Sequence, residues 1–268
     1  MQQFIKEIIC SVSEKGLSNI MTICFMVLSF LPVIVISYKI SLTTNIGTIK
    51  IASFMASTYI ANFVLMLVLA WIETGFEYFG GQNGIRSFAY TPLLCGVFAK
   101  IFNISWKQGN AIWAVCLPFS HGIAHIGCVF PGCCQGYPCS WGIYNTFKEQ
   151  YLFPVQLLES AVAIVIGIYI LRRVIQSKYD FDGKEYPIML VLFGSTRFVC
   201  EFFRDNEKIL GGCSSLAFHA LFMFVVGIVW LLIIRKREKA SVSAEMQTQT
   251  CAEPVSYTHL TLPTMAVV

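Results

Sequence analysis

Charge is what this sequence has least of. Only 13% of its 268 residues are Asp, Glu, Lys or Arg, against ~25% in an ordinary soluble domain. Hydrophobic residues make up 56% and the mean hydropathy is +0.67, a balance that points away from a soluble fold. Basic surplus is small too: 19 Lys plus Arg face 15 Asp plus Glu, for a net charge of +4 that orientation signals account for. A basic surface interleaved with aromatics is missing, so nucleic acid is not among the expected partners. Met1 to Lys15 is polar and amphipathic and lacks the short apolar core of a cleavable signal peptide, so insertion is expected to rest on the first span.

What the chain has instead is apolar runs of membrane length. Windows of about 20 residues predict spans at 19–38, 50–72, 87–102, 110–128, 154–172, 187–203 and 214–234. The third is short and contains Pro92, so it reads either as a crossing or as a broken, re-entrant segment, which leaves a six-span count open. The fold class expected is all-α: one polytopic bundle of about seven spans over residues 1–239. With seven spans, 12 Lys and Arg fall on one side and 6 on the other, with Arg197 inside a span. Because cytoplasmic loops carry the excess, the C-terminus is expected in the cytoplasm, and the N-terminus and the loop 129–153 outside. Beyond Arg235–Lys239 the composition turns polar and aperiodic, so 240–268 is expected to be disordered. Its end, PVSYTHLTLPT from Pro254 to Thr264, resembles translated sequencing-adapter sequence; 254–268 is set aside as an artefact, and the natural C-terminus is expected to be missing.

Ionisable groups inside spans are costly and face a partner, a cavity or water. Arg197, Glu201 and Arg204 stand at i, i+4 and i+7 in span six, one helical face with the carboxylate between two guanidinium groups. An interfacial anchor with Arg204 snorkelling outward is the alternative, although Arg197 lies too deep for it. His121, His125 and Cys128 share a face of span four in the same way, with structural hydrogen bonding as the alternative. Span five opens FPVQLLES, placing Gln156 and Glu159 just below the outer surface, where capping and packing are the other reading. At about 1.5 Å per residue, Arg197 lies about 9 Å below the outer end of its span, Glu201 about 3 Å, Glu159 about 8 Å, His121 about 10 Å and His125 about 5 Å. Three separate segments thus supply polar groups at one depth, that of the headgroups and upper acyl chains of the outer leaflet. A lipid headgroup is the natural substrate.

The outer loop GCVFPGCCQGYPCSWG adds Cys128, Cys133, Cys134 and Cys139, with Gly127, Gly132 and Gly136 allowing a close-packed turn. Four thiolates with two nearby imidazoles fit a zinc site, although the spacing is not a paired CxxC. Disulfides or free thiols are the other account, with the adjacent Cys133 and Cys134 poorly placed to pair with each other.

In their order, these motifs resemble the prolipoprotein diacylglyceryl transferase family, in a divergent, cysteine-rich branch. HGIAHIGCVFPGCCQGYP resembles the family signature, FPVQLLE its His-Pro-Ser-Gln-Leu-Tyr-Glu motif and RFVCEFFRD its Arg-Phe-x-x-Glu-Phe-Phe-Arg motif. The resemblance covers about Phe79 to Leu232 and implies seven spans with the N-terminus outside the bacterial plasma membrane. It also implies transfer of diacylglycerol from phosphatidylglycerol to the lipobox cysteine thiol of a preprolipoprotein within the bilayer, without metal or organic cofactor. By motif, Arg197 would contact the lipid phosphate with Glu201 and Arg204 supporting it, while Gln156 and Glu159 would line the cavity. The chain departs from the family where His125 replaces an Arg, Cys128 an Asn and Cys133 a Glu. The family's His-Gly-Gly segment has no clear counterpart in GIRSFAY from Gly84 to Tyr90. Of the residues left, His121 is expected as the base and His125 as a phosphate partner. Two other classes stay open: a non-catalytic lipid or lipoprotein binder of the same fold, and a thiol redox or metal protein built on the outer cysteines.

Overall fold

The computed structural model describes residues 1–14, 16–44, 46–73, 85–205 and 214–251, with backbone alone at 73, 85, 86 and 245–251. An amphipathic helix α1 (Gln2–Glu14) leads into α2 (Ser18–Leu28), α3 (Phe30–Thr43), α4 (Thr48–Glu73), α5 (Ile85–Ile101) and α6 (Trp106–Ile126). A 3-10 turn at Gly127–Val129 and a hairpin of β1 (Pro138–Asn145) and β2 (Gln150–Leu152) come next. Then follow α7 (Val155–Gln176), α8 (Glu185–Glu201) and α9 (Ser215–Cys251).

Among the described residues, five stretches are long and apolar enough to cross a membrane: Ser18–Thr43, Thr48–Ile72, Trp106–Val129, Val155–Gln176 and Ser215–Ala244. The other two predicted spans correspond to α5 and α8, each of 17 residues. The first span is broken at Ser29, because Pro32 has no N–H to donate to the carbonyl of Leu28. In α5, Pro92 frees the carbonyl of Phe88 in the same way. Its replacement donor is the hydroxyl of Tyr186 in α8, at 2.7 Å, so the proline ties two helices together. The helix α9 runs past the basic cluster at Arg235–Lys239 to Cys251; residues 252–268, and with them the adapter-like end, lie outside the described residues. So do Lys15 and Lys208 of the charge count and Gly84 of GIRSFAY.

The bundle centres on α6, whose residues Gly109 to Pro118 are buried throughout, against α3, α5, α7 and α8. Outward faces are apolar: Leu31, Ile34 and Val35 in α3, and Ile60, Phe63 and Val64 in α4, are all exposed. Those surfaces suit hydrocarbon rather than water. At the end of the bundle that carries β1, α1 packs on the hairpin. Gln2 Nε2 donates to the carbonyls of Ser140 and Gly142, each at 3.1 Å, and Lys6 Nζ sits 4.2 Å over the Tyr144 ring.

Candidate functional site

The sequence places Glu159 one turn into α7, after Pro154 has set the start of the helix, and its side chain is 5% exposed. Arg204 grips it as a fork, with Nε donating to Oε1 at 3.1 Å and Nη2 to Oε2 at 2.6 Å. Arg197, on α8, donates from Nη1 to Glu159 Oε1 at 2.9 Å and to Glu201 Oε2 at 2.6 Å. Ser214 donates to the other oxygen of Glu201. Two carboxylates and two guanidinium groups, all buried, form one closed network. Charges so placed are tolerable only because every one is paired.

Arg204 reaches this network by a route that helical spacing does not foresee. The helix α8 stops at Glu201, Phe202 and Phe203 turn, and Arg204 forms a bridge with Gly136 in the outer loop. Gly136 N donates to the Phe153 carbonyl at 3.1 Å and Tyr137 N to that of Phe203 at 3.2 Å. A Cβ at Gly136 would stand 2.7 Å from both the Phe153 and Phe203 carbonyl oxygens, so only glycine lets the loop close over the end of α8. Gly136→Ala is therefore expected to destabilise the protein by about 1–3 kcal/mol, read as a lowered Tm in detergent; an unchanged Tm would refute the strap. Of the other two glycines, Gly127 packs on Thr22 of α2, whose hydroxyl donates to its carbonyl at 3.1 Å, and Gly132 has φ +66°. Gln156 lies apart from the arginines, donating to the carbonyl of Cys133 at 2.6 Å.

The two histidines part company. His125 joins the charged network, its Nε2 at 3.3 Å from Arg204 Nη2 and its Nδ1 at 3.1 Å from Glu159 Oε2, close but off line for a hydrogen bond. His121 packs edge-on against Phe88 and Phe193, and its buried Nε2 has no partner. It lines a cavity of about 330 Å³ together with Ser29, Asn62, Phe88, Trp113 and Ser120. One ring nitrogen of His121 also lies within 4.8 Å of donor atoms on His125 and Glu159, so His121 stands between cavity and network. Asn62, which donates to Thr91 at 2.6 Å, is a polar residue inside span two, and the cost of such a group was the signal that marks it. Ser214 offered no signal, since only the return of the chain after α8 brings it to Glu201.

Of the four loop cysteines, three meet. Donor atoms of His125, Cys128 and Cys134 all lie within 4.8 Å of one another, and the exposed thiol of Cys133 beside them donates to the Cys128 carbonyl at 3.6 Å. Cys128 gets there from the 3-10 turn, α6 having ended at Ile126. Hydrogen bonds from Cys128 and then Cys133 hold the Cys134 thiol far below the usual range, despite its burial. The one from Cys128 also lowers Cys133, but its bond to Cys134 and burial prevail and raise Cys133 to about 11. Cys139 lies on β1, away from this group.

Fold and site together define a polytopic helical protein with a buried arginine–carboxylate network beside an intramembrane cavity. A model of the family described as prolipoprotein diacylglyceryl transferase matches residues 25–233, and the chain belongs to that family. The phosphatidylglycerol–prolipoprotein diacylglyceryl transferase of Campylobacter curvus is 28% identical over 165 residues, 57% of this chain and 60% of the relative. That of Clostridium tetani is 26% identical over 130 residues, 45% of this chain and 51% of the relative. A second such enzyme of Clostridium perfringens is 26% identical over 121 residues, 42% and 46% of the two chains. The matches thus span at most 60% of the length of these relatives.

Proposed function

We propose that the chain is a phosphatidylglycerol–prolipoprotein diacylglyceryl transferase of the bacterial plasma membrane, acting at the outer leaflet on the lipobox cysteine of a preprolipoprotein. The observation that carries this reading is the position of His121, with an unpartnered buried nitrogen in a cavity and a paired arginine network within reach. Transfer needs a group to take the thiol proton and cations to stabilise the departing glycerol phosphate. His121 supplies the first. For the second, both carboxylate contacts of Arg197 run through Nη1, which leaves the rest of its fork for a phosphate. Arg204 and His125 complete the anion-facing side, Glu159 and Glu201 hold the guanidinium groups in place, and Gln156 fixes the loop above them. Tyr59 and Trp113 also line a second, largely apolar cavity of about 470 Å³ between α3 and α4, which suits acyl chains.

The topology supports the same reading. Because α1 lies on β1, the N-terminus and the loop 129–153 share a side of the membrane, which requires an even number of crossings between them. The broken span α2–α3 with α4, α5 and α6 supplies it only if α5 crosses fully. This supports a seven-span reading, and the Lys and Arg distribution supports an N-terminus outside. A cysteine introduced at Ser140 is expected to react with an impermeant maleimide in intact cells, as is one at the N-terminus; labelling of only one would refute the shared side.

The reaction is tested by reconstituting the full chain with phosphatidylglycerol and a lipobox peptide. Thioether-linked diacylglycerol is the expected product. His121→Ala should remove most of it, and a double His121→Ala, His125→Ala protein with wild-type transfer would end the assignment of the base. Protein that binds phosphatidylglycerol but never modifies the peptide would instead be a lipid-binding member of the family.

A further inference from the structure

The transfer reaction has no use for three clustered cysteines, yet the fold invests in them. Cys134 adopts φ 58°, a left-handed conformation rare for a residue with a Cβ, and such strain persists only where surrounding structure over-determines it. Gly132 at φ +66° and the Gln156 bond to the Cys133 carbonyl hold the same turn. The result brings Cys128 and Cys134 together against an imidazole at the end of α6, with Cys133 next to them in the same turn. Cys133 reaches in far enough to donate to the Cys128 carbonyl at 3.6 Å.

We propose that His125, Cys128, Cys133 and Cys134 bind one soft divalent cation of the zinc class. The donor set is one imidazole and three thiols, a recurrent four-coordinate zinc set. Donor atoms of a tetrahedral zinc site stand roughly 3.5 Å apart, and those of His125, Cys128 and Cys134 already lie within 4.8 Å; the exposed Cys133 thiol, 3.6 Å from the Cys128 carbonyl, turns in as the fourth ligand. A disulfide would consume two of the three thiols, leave the third unpaired and give the imidazole no part. Behind the histidine, Glu159 Oε2 stands 3.1 Å from Nδ1, off line for a hydrogen bond as the side chains lie, and a small turn of the ring would let that carboxylate orient a ligating imidazole. Three thiolates and a neutral imidazole leave a divalent site with excess negative charge, which the Arg204 guanidinium faces. The other histidine cluster, His121, His125 and Glu159, is a poorer cation site because Glu159 is already taken by both arginines. In the loaded protein His125 is a ligand, and the phosphate contacts fall to Arg197 and Arg204. The cation pins the loop 127–136 that carries Gly136 over Arg204. This departs from the cofactor-free expectation that the family resemblance carries, and it is read out independently of lipid transfer.

The test is metal content of the full chain, purified in detergent under argon with a phosphine reductant from zinc-supplemented cells. About one zinc ion per chain is expected, and exchange with cobalt should give thiolate charge-transfer absorption in the near ultraviolet and tetrahedral bands in the red. Cys128→Ser and Cys134→Ser should each weaken metal retention by about tenfold or more, while Cys139→Ser keeps it. Should the serine variants fail to fold, the wild type decides alone: a chelator should expose three further thiols to maleimide at Cys128, Cys133 and Cys134. Reduced wild-type protein that holds no zinc, takes up no cobalt and labels equally with and without chelator would overturn the site.

Discussion

Arg197→Ala is expected to reduce lipid transfer by about 100-fold or more, the scale seen when a preorganised donor to a developing anion is removed. The residue is 5% exposed on α8 and holds Glu159 and Glu201 through a single nitrogen. Truncation would remove the proposed phosphate contact and release one arm of both carboxylates. Arg197→Lys separates charge from geometry. An ammonium keeps the positive charge but offers no planar fork, so activity should fall while the protein still folds. Arg204→Lys belongs beside them, with the larger activity loss expected at Arg197, since Arg204 is already committed as a fork to Glu159. Transfer rates and detergent Tm, measured for all three, distinguish a binding role from a structural one. Wild-type transfer by Arg197→Ala would refute the phosphate contact and leave Arg197 as a partner of the carboxylates.

The largest loss of stability is expected at Glu159. Its carboxylate accepts from both arginines and lies against His125, so Glu159→Gln leaves two buried guanidinium groups with Glu201 as the carboxylate that remains beside them. Breaking a buried ion network from one side costs about 3–5 kcal/mol, because the remaining charges stay desolvated and unpaired. The contrast is Lys148 with Asp205, an equally short pair at 2.6 Å whose side chains are 36% and 40% exposed. Lys148→Ala should therefore cost no more than about 1 kcal/mol. Thermal unfolding in one detergent measures both. Equal Tm losses for the two variants would show that burial does not govern the network and would sink this account of it.

Much of the fold was legible because lipid leaves the backbone few choices. With no water to satisfy its N–H and C=O groups, an apolar run must be a helix, so composition alone places α3, α4, α6, α7 and α9. The weak third span was legible as weak, through Pro92. What pattern did not reveal was how the chain repairs that proline, since the Tyr186 hydroxyl comes from 94 residues further on in sequence. The polar layer was also readable, as ionisable residues at matching depth below the ends of three spans.

Which members of that layer touch was decided by tertiary structure. Spacing put Arg204 on the face of α8 with Arg197 and Glu201, but the helix ends at Glu201 and Arg204 arrives from a bridge to Gly136. Spacing joined Cys128 to the histidines, yet could not say that Cys139 would go to a hairpin while Cys134 turned toward His125. His121 and His125 look equivalent in sequence; the rotation of α6 against α7 and α8 sends one to a cavity and the other to the arginines. The sequence by itself determined the apolar helices and which of them carry charged residues, because backbone hydrogen bonds in a membrane are local and the hydrophobic cost is set residue by residue. Partnership among those charges waited for the fold, because it depends on where helices stop and how they rotate, which long-range packing sets.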